Sequence, residues 1–500
     1  MSHSFLHDNR VVIYQQNPII EPGYPRFSPF NPSECYPEYP FGAEYLSAEE
    51  NLVYAGIRKV FELLELDKKN LGSKSWNPLG EVIQVGSKVL VKPNFVTHFH
   101  PRGESMDCMI THGSVLRALV DYIFIATGPS GKITILDVPL QSADFEKIVA
   151  HTGLNEIRQL YWETFHFSID IIDARVKKVV LDDSGCIIKE FGAQGDQNGY
   201  QVVDLGTASE LEKLADDFLK FRVSDYQPEN IPKHHQHGKH EYLIPRSLLE
   251  ADVVVNVPKL KTHIKTGVTL SLKNMIGICG DKSWLPHHRV GPQAEGGDEY
   301  PIGGQFKRFE GEIIQKLRRS NPFIWRTGRF LGKQLIHLLK FASRTRSNTG
   351  DLACHPMDIN FGEWYGNDTI WRTVLDMNKI LFYADQFGIM RSEPQRKYFC
   401  FVDGWIAGEG QGPLLPTPKN CGVFIGGFNP IAVDLGCLEV MGFNWQSIPK
   451  ICESFQLKSY SLVDFNPDEI RFIKNGYKED NRPFQPAIGW KGHIEKQIEN

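Results

Sequence analysis

The stretch ADVVVNVPKLKTHIKTGVTLSLKNMIGICGDK, residues 251–282, constrains the fold more than any other part of the chain. Residues 252–256 read as a central strand, because a run apolar on both faces must be covered on both sides. Directly after it the chain changes character. Lys259, Lys261, His263 and Lys265 recur with a two-residue period just past the strand's carboxyl end, where open α/β sheets place their ligands. Three ammonium groups and an imidazole repel one another unless an anion sits among them. The segment therefore reads as a site for an anion or a metal–anion complex.

The surrounding pattern alternates strand and helix. Strands are expected near 88–91, 133–136, 167–172, 253–257, 398–402 and 421–425, and helices near 113–126, 144–152, 268–276, 371–386 and 431–441. Asn429-Pro430 places a capping residue and a first-turn proline before the last helix. This predicts an α/β fold: a mostly parallel sheet with helices on both faces, long insertions and a small β-rich insertion at the sheet edge over 173–205. The expected division is an irregular Pro- and aromatic-rich arm and leading helix (1–85), a first core part (86–282), a loop and basic amphipathic insertion (283–365), a second core part (366–445) and a C-terminal extension (446–500). The tract KHHQHGKH, 233–240, reads as an exposed loop.

Composition narrows the partners. With 41% hydrophobic and 23% charged residues and a formal charge of -5, the chain has no general attraction for nucleic acid, so a positive site must be local. Nine cysteines include no C-x2-C pair, so neither a cysteine-rich zinc site nor an intrinsic iron–sulfur cluster is expected. Their sparse spacing favours a reducing cytoplasm. MSHSFLHDNR lacks the apolar core of a signal peptide, and no run of 18 apolar residues occurs. From Lys316 to Arg346 there are nine Lys or Arg and no acid. Within it, 329–346 is amphipathic and reads as a cover for the site, a partner interface or a peripheral contact with an anionic membrane.

Several groups join the cationic edge in this reading. Lys92 and Asn94 flank Pro93, which blocks further ladder bonding and turns the chain at the same sheet edge. His98 and His100 follow as H-x-H. Asp137 and Asp403 each end an apolar strand, suited to hold a divalent cation or a proton, or to cap the next turn. Glu409 lies in a glycine-rich loop, GEGQGP at 408–413, which lets backbone approach a ligand. Lys273 and Asn274 lie in an otherwise apolar helix, where an unpaired charge is costly, so Lys273 must meet a carboxylate or a ligand. Lys282 and the pair His287-His288 follow in a loop able to fold back, with His287 an acid/base candidate. Asp368, Arg372 and Asp376 share one helical face, as an ion ladder or with Arg372 reaching the anion.

Taken together, KPN at 92–94, VPKLKTH at 257–263, VTLSLKNMIGI at 268–278, Lys282, His287-His288, VDG-x4-GEGQGP at 402–413 and NPIAVDLGCLEVMG at 429–442 resemble domain-of-unknown-function family 362 across about 86–445. The resemblance implies an α/β core. It makes Lys92, Asn94, Lys259, Lys261, His263, Lys273, Asn274, Asp403, Glu409 and Asp434 the site candidates. Some members carry a ferredoxin-like iron–sulfur module, whose cysteine motif this chain lacks.

The function expected on these grounds is an enzyme acting on a small phosphorylated or carboxylated metabolite. Lys92, Asn94, Lys259, Lys273, Asn274, Lys282 and Arg372 would bind it, while His263, Asp403, Lys261 and His287 would carry the chemistry. The cofactor is left open, with a divalent metal at Asp403, Glu409 or Asp137 as the candidate. Group transfer fits lysines plus acids best; proton transfer beside a carboxylate, as in an isomerase, is the alternative. A noncatalytic anion-binding or membrane-associated assembly protein, or a redox protein using a flavin, are the other classes left open, as is oligomeric state.

Overall fold

A strand with two apolar faces belongs in the middle of a sheet, and Val253–Val257, buried at every residue, lies there. The computed structural model describes residues 5–16, 23–181, 187–223, 230–301, 361–477 and 483–497. Its strands in chain order are β1 (Arg10–Gln15), β2 (Lys88–Pro93), β3 (Lys132–Asp137), β4 (Ile169–Asp173), β5 (Lys177–Leu181), β6 (Ile187–Gly192), β7 (Tyr200–Asp204), β8 (Phe221–Arg222), β9 (His235–Gln236), β10 (Lys239–Pro245), β11 (Val253–Val257), β12 (Lys259–His263), β13 (Gly267–Val268), β14 (His288–Arg289), β15 (Lys397–Gln411), β16 (Leu415–Gly427) and β17 (Arg471–Asn475).

The main sheet runs β17-β1-β16-β15-β11-β2-β3-β4, with β12 on the far end of β15 and β13 beside β12. The block β15-β11-β2-β3-β4 is parallel throughout. β16 is antiparallel to both β15 and β1, and β17 returns parallel to β1. The result is a mixed, mostly parallel α/β sheet.

Period-two alternation divides the core. Leu90, Val254 and Val402 face a layer containing Val374, Leu375 and Ile431, from the helices Ile370–Tyr383 and Pro430–Met441. Val89, Val91, Val255 and Phe401 face the opposite layer, with Ile57 of Leu52–Leu63 and Leu119 of Gly113–Thr127. Asn429 caps its helix as expected, accepting from the Ile431 and Ala432 amides at 2.9 and 3.1 Å. Smaller antiparallel pieces decorate this body: the β5–β6 hairpin, the β7-β10-β9 sheet and the β14-β8 pair.

Four local expectations need correction. The first 45 residues are not all irregular, since Val11, Val12 and Ile13 are wholly buried in β1. The glycine-rich stretch at 408–413 is mostly strand: Gly408, Glu409 and Gly410 continue the β15–β16 ladder. Its glycines serve close backbone packing, because a Cβ on Gly408 would lie 2.6 Å from the Cys108 carbonyl oxygen and one on Gly412 2.1 Å from that of Thr262. The tract 233–240 is a short helix end plus β9 and the start of β10, with His235 and His240 fully buried. The helix expected over 268–276 shrinks to Leu270–Asn274 followed by a 3-10 turn at Met275–Ile278. Leu270 at its start has φ +54°, a conformation a branched side chain resists. The basic stretch 316–346, including 329–346, lies outside the described residues.

Candidate functional site

The carboxyl ends of β2, β3 and β11 meet where the parallel block stops, and their polar residues are buried there. Lys92 Nζ pairs with Asp137 Oδ1 at 2.8 Å and donates to the Pro93 carbonyl at 2.7 Å. Asp137 also accepts the Phe95 amide at 2.6 Å and its neighbour Val138's amide at 2.7 Å. Burial pulls the Lys92 ammonium down in pKa, and Asp137 opposes the shift. Gly277 closes over the pair, since a Cβ at that position would fall 2.5 Å from Asp137 Oδ1 and 2.7 Å from Lys92 Nζ.

A chain of amides runs beside the pair. Asn94 Nδ2 donates to Asn274 Oδ1 at 2.7 Å, Asn274 Nδ2 to Asn256 Oδ1 at 2.8 Å, and Asn256 Nδ2 to the Tyr398 hydroxyl at 2.7 Å. This network fixes the turn after β2 against the segment after β13. Among the described residues, Asn94 Oδ1 and Thr269 Oγ1 are buried without hydrogen-bond partners.

These groups line a cavity of about 520 Å³. Its polar side chains are Lys92, Asn94, Thr97, Asp137, Ser142, His263, Lys265, Thr269, Lys273, Asn274, Lys282, His287 and Glu363. Four lysines and two imidazoles thus face two carboxylates, one of them already paired. Lys282 donates to the Ile276 carbonyl at 3.1 Å, and burial lowers its pKa to about 8. Lys265 donates to the Phe361 carbonyl. Lys273, half-buried, makes no hydrogen bond or ion pair among the described residues. Burial pushes its pKa far below the ordinary value, helped by the charges of Lys282, Lys450, Lys261 and Lys265.

The two histidines present opposite faces. His263 Nδ1 accepts the Lys265 amide at 3.0 Å, which leaves Nε2 as the protonated nitrogen. His287 Nδ1 donates to the Leu285 carbonyl at 2.7 Å, so its Nε2 carries the lone pair. Burial and the neighbouring lysines hold both far below the usual histidine range, so both are neutral at physiological pH. Glu363 goes the other way: burial raises its pKa and Lys265 opposes.

Other expected site residues lie elsewhere. Lys259 Nζ pairs with Asp403 Oδ2 at 3.0 Å and donates to the Tyr24 hydroxyl at 2.7 Å; His112's amide also donates to Asp403 at 3.0 Å. That cluster, with Lys259 and Asp403 fully buried, ties the N-terminal arm to β12 and β15, and neither of these two residues lines the cavity. Lys261 sits between the two clusters, with Nζ donating to the Met109 carbonyl and burial lowering its pKa to about 7. Glu409 pairs with Lys419 at 3.3 Å and accepts the Gln485 amide at 3.0 Å. Asp137, Asp403 and Glu409 therefore occupy three separate ion pairs. Among the described residues no group of three His, Cys, Asp or Glu is placed to hold a metal ion.

Arg372 turns back on Asp368 at 3.0 Å and stacks on Trp371, away from the cavity. Asp376 does not extend that pair; it accepts the Tyr242 hydroxyl at 2.9 Å and the Glu210 amide at 2.8 Å. Asp434 caps the short Leu270–Asn274 helix, accepting the Ser271 amide at 2.6 Å, so those N–H groups are not free for an anion. Burial lifts its pKa to about 6, and Lys450, 3.6 Å away, opposes the rise. His98 and His100 bind different partners, the Asp144 amide and the Pro416 carbonyl. Glu363 and the capping role of Asp434 escaped the sequence reading. Glu363 stands in an irregular stretch with no pattern to mark it.

The α/β sheet thus carries a cation-rich cavity at its carboxyl edge, a charge arrangement that suits an anion. The family model described as Domain of unknown function (DUF362) matches residues 168–439, more than half the chain, and the protein belongs to that family. The match begins after Lys92, Asn94 and Asp137, so the β2 and β3 contributions stand on the geometry. No curated protein matches the chain. No helix among the described residues is long and apolar enough to cross a membrane.

Proposed function

We propose that the cavity is the active site of an enzyme acting on a small anionic metabolite, with proton transfer next to a carboxylate as its reaction. The observation that carries this reading is Lys273, a half-buried lysine lining the cavity with no hydrogen bond or ion pair among the described residues. An unpaired ammonium is costly in such a place; an entering anion repays that cost and restores the charge.

Two features favour proton transfer over metal-dependent group transfer. The carboxylates that would hold a metal are dispersed among separate ion pairs. The imidazoles, by contrast, offer one lone pair and one N–H to the same space. An anion held by Lys92, Lys273 and Lys282 raises the pKa of both histidines, moving His287 towards the range of a general base while His263 donates to developing negative charge.

Exchange in D2O tests this. Carboxylic acids with an acidic α-proton, incubated with the protein, should lose that proton's NMR signal, and His287→Asn should slow the loss by a factor on the order of 100 or more. Exchange unchanged in His287→Asn would refute the assignment of the base. No exchange with any acid that stabilises the protein would refute the reaction.

A further inference from the structure

The cationic groups occupy only part of the cavity. They come from the strand ends and from 263–287, whereas the loops and hairpins around them present apolar side chains: Phe95, Leu140, Val179, Ile187, Ile276 and Leu414. A site for a sugar phosphate or a small dicarboxylate would need polar groups throughout to replace water around its ligand. This cavity concentrates them at one side, with Thr97 and Ser142 the polar exceptions among the surrounding loops.

The apolar side is also held in place. Arg175, almost wholly buried, pairs with Asp173 at 2.7 Å and donates to the carbonyls of Leu140 and Ala143 at 2.7 and 2.8 Å. Val179's amide donates to the Gln141 carbonyl at 3.0 Å, and Lys177 pairs with Asp281 at 3.6 Å. The loop bearing Leu140 and the hairpin bearing Val179 are thus fastened together and to the floor. A second observation lies at the polar end: two residues lining the cavity, Asn94 and Thr269, 8% and 3% exposed, have buried Oδ1 and Oγ1 atoms with no hydrogen-bond partner among the described residues. Native structures rarely leave such atoms unsatisfied.

We infer that the ligand is an amphiphile, with an anionic head on Lys92, Lys273 and Lys282 and an apolar body against the Leu140–Val179–Ile187 wall. This deepens the anion-site reading and rests on it. Carboxylate and phosphate heads share the chemistry that the lysines recognise. The apolar body excludes the simplest phosphorylated and carboxylated metabolites as the preferred ligands.

Calorimetric titration of the whole protein with acetate, butyrate, octanoate, octyl phosphate, inorganic phosphate and 1-octanol tests the inference. Affinity should rise about fourfold per buried methylene, so octanoate should exceed butyrate by a factor on the order of 100. Octyl phosphate measured against octanoate decides which head is preferred. Lys273→Met should abolish octanoate binding, and Val179→Asn should flatten the chain-length series; the series on the unmodified protein stands even if that variant does not fold. Acetate or inorganic phosphate binding as tightly as octanoate would overturn the inference and leave the anion site standing. Octanol binding as tightly as octanoate, or octanoate binding unchanged in Lys273→Met, would overturn both.

Discussion

Lys92 and Asp137 meet 2.8 Å apart on adjacent parallel strands, both removed from solvent, with Gly277 packed against the contact. Removing one partner of a buried pair strands the other, so the pair behaves as a unit. Lys92 forms part of the cavity wall and Asp137 holds its charge in position.

Gly277→Ala should disturb that unit first. Its methyl group would overlap both charged ends, and a destabilisation of about 1–3 kcal/mol in urea unfolding is expected. Stability equal to that of the unmodified protein would mean the pair can separate without loss.

Asp403 separates structure from chemistry. Its partners are Lys259, Tyr24, His112 and the Trp405 amide, all outside the cavity. Asp403→Asn should cost roughly 3–5 kcal/mol of stability by leaving Lys259 unpaired, with anion affinity unchanged in the fraction that folds. Lost affinity in a stable Asp403→Asn protein would place Asp403 in the binding machinery.

The pH dependence follows from the depressed lysines. Burial lowers the pKa of Lys261 to about 7 and of Lys282 to about 8, from an ordinary 10.5. Between those values the unfolded chain binds more protons, so stability rises with pH; below the folded values the full penalty applies. Each group contributes a slope of at most about 1.4 kcal/mol per pH unit from pH 7 or 8 up to about 10. Lys261→Met should flatten the profile measured by urea unfolding. An equal slope in that variant would contradict the burial argument.

Much of this was legible in the residues, for identifiable reasons. The run at 253–257 could only be a central strand, and Asn429-Pro430 could only start a helix. Lys273 stood out because a lone charge in an apolar segment needs a partner. The placement of Lys259 was not legible: a two-residue period puts 259, 261 and 263 on one side of a strand, yet Lys259 faces Tyr24 and Asp403, Lys261 the Met109 carbonyl, and His263 the cavity. A register shift between Lys259 and Lys261 along β15 spreads them out. Gly408 and Gly412 misled for a related reason, since a glycine admitting a neighbouring backbone looks the same in sequence as one admitting a ligand.

Lys273 should tolerate replacement as few charged residues do. Lys273→Met removes a partnerless amine, so stability should hold or increase, while anion binding is lost. Lys273→Arg keeps a charge but exchanges a compact ammonium for a broad fork, and should recover only part of the affinity. A Lys273→Met protein that unfolds would mark Lys273 as a structural residue.

The most direct test is to locate an anion. Crystals soaked in selenate and measured at the selenium edge should show an anomalous peak inside the cavity, within hydrogen-bond reach of Lys273 and at least one of Lys92 and Lys282, and Lys273→Met crystals should lose it. Selenate found only on the outer surface, with the cavity empty in the unmodified protein, would contradict the account.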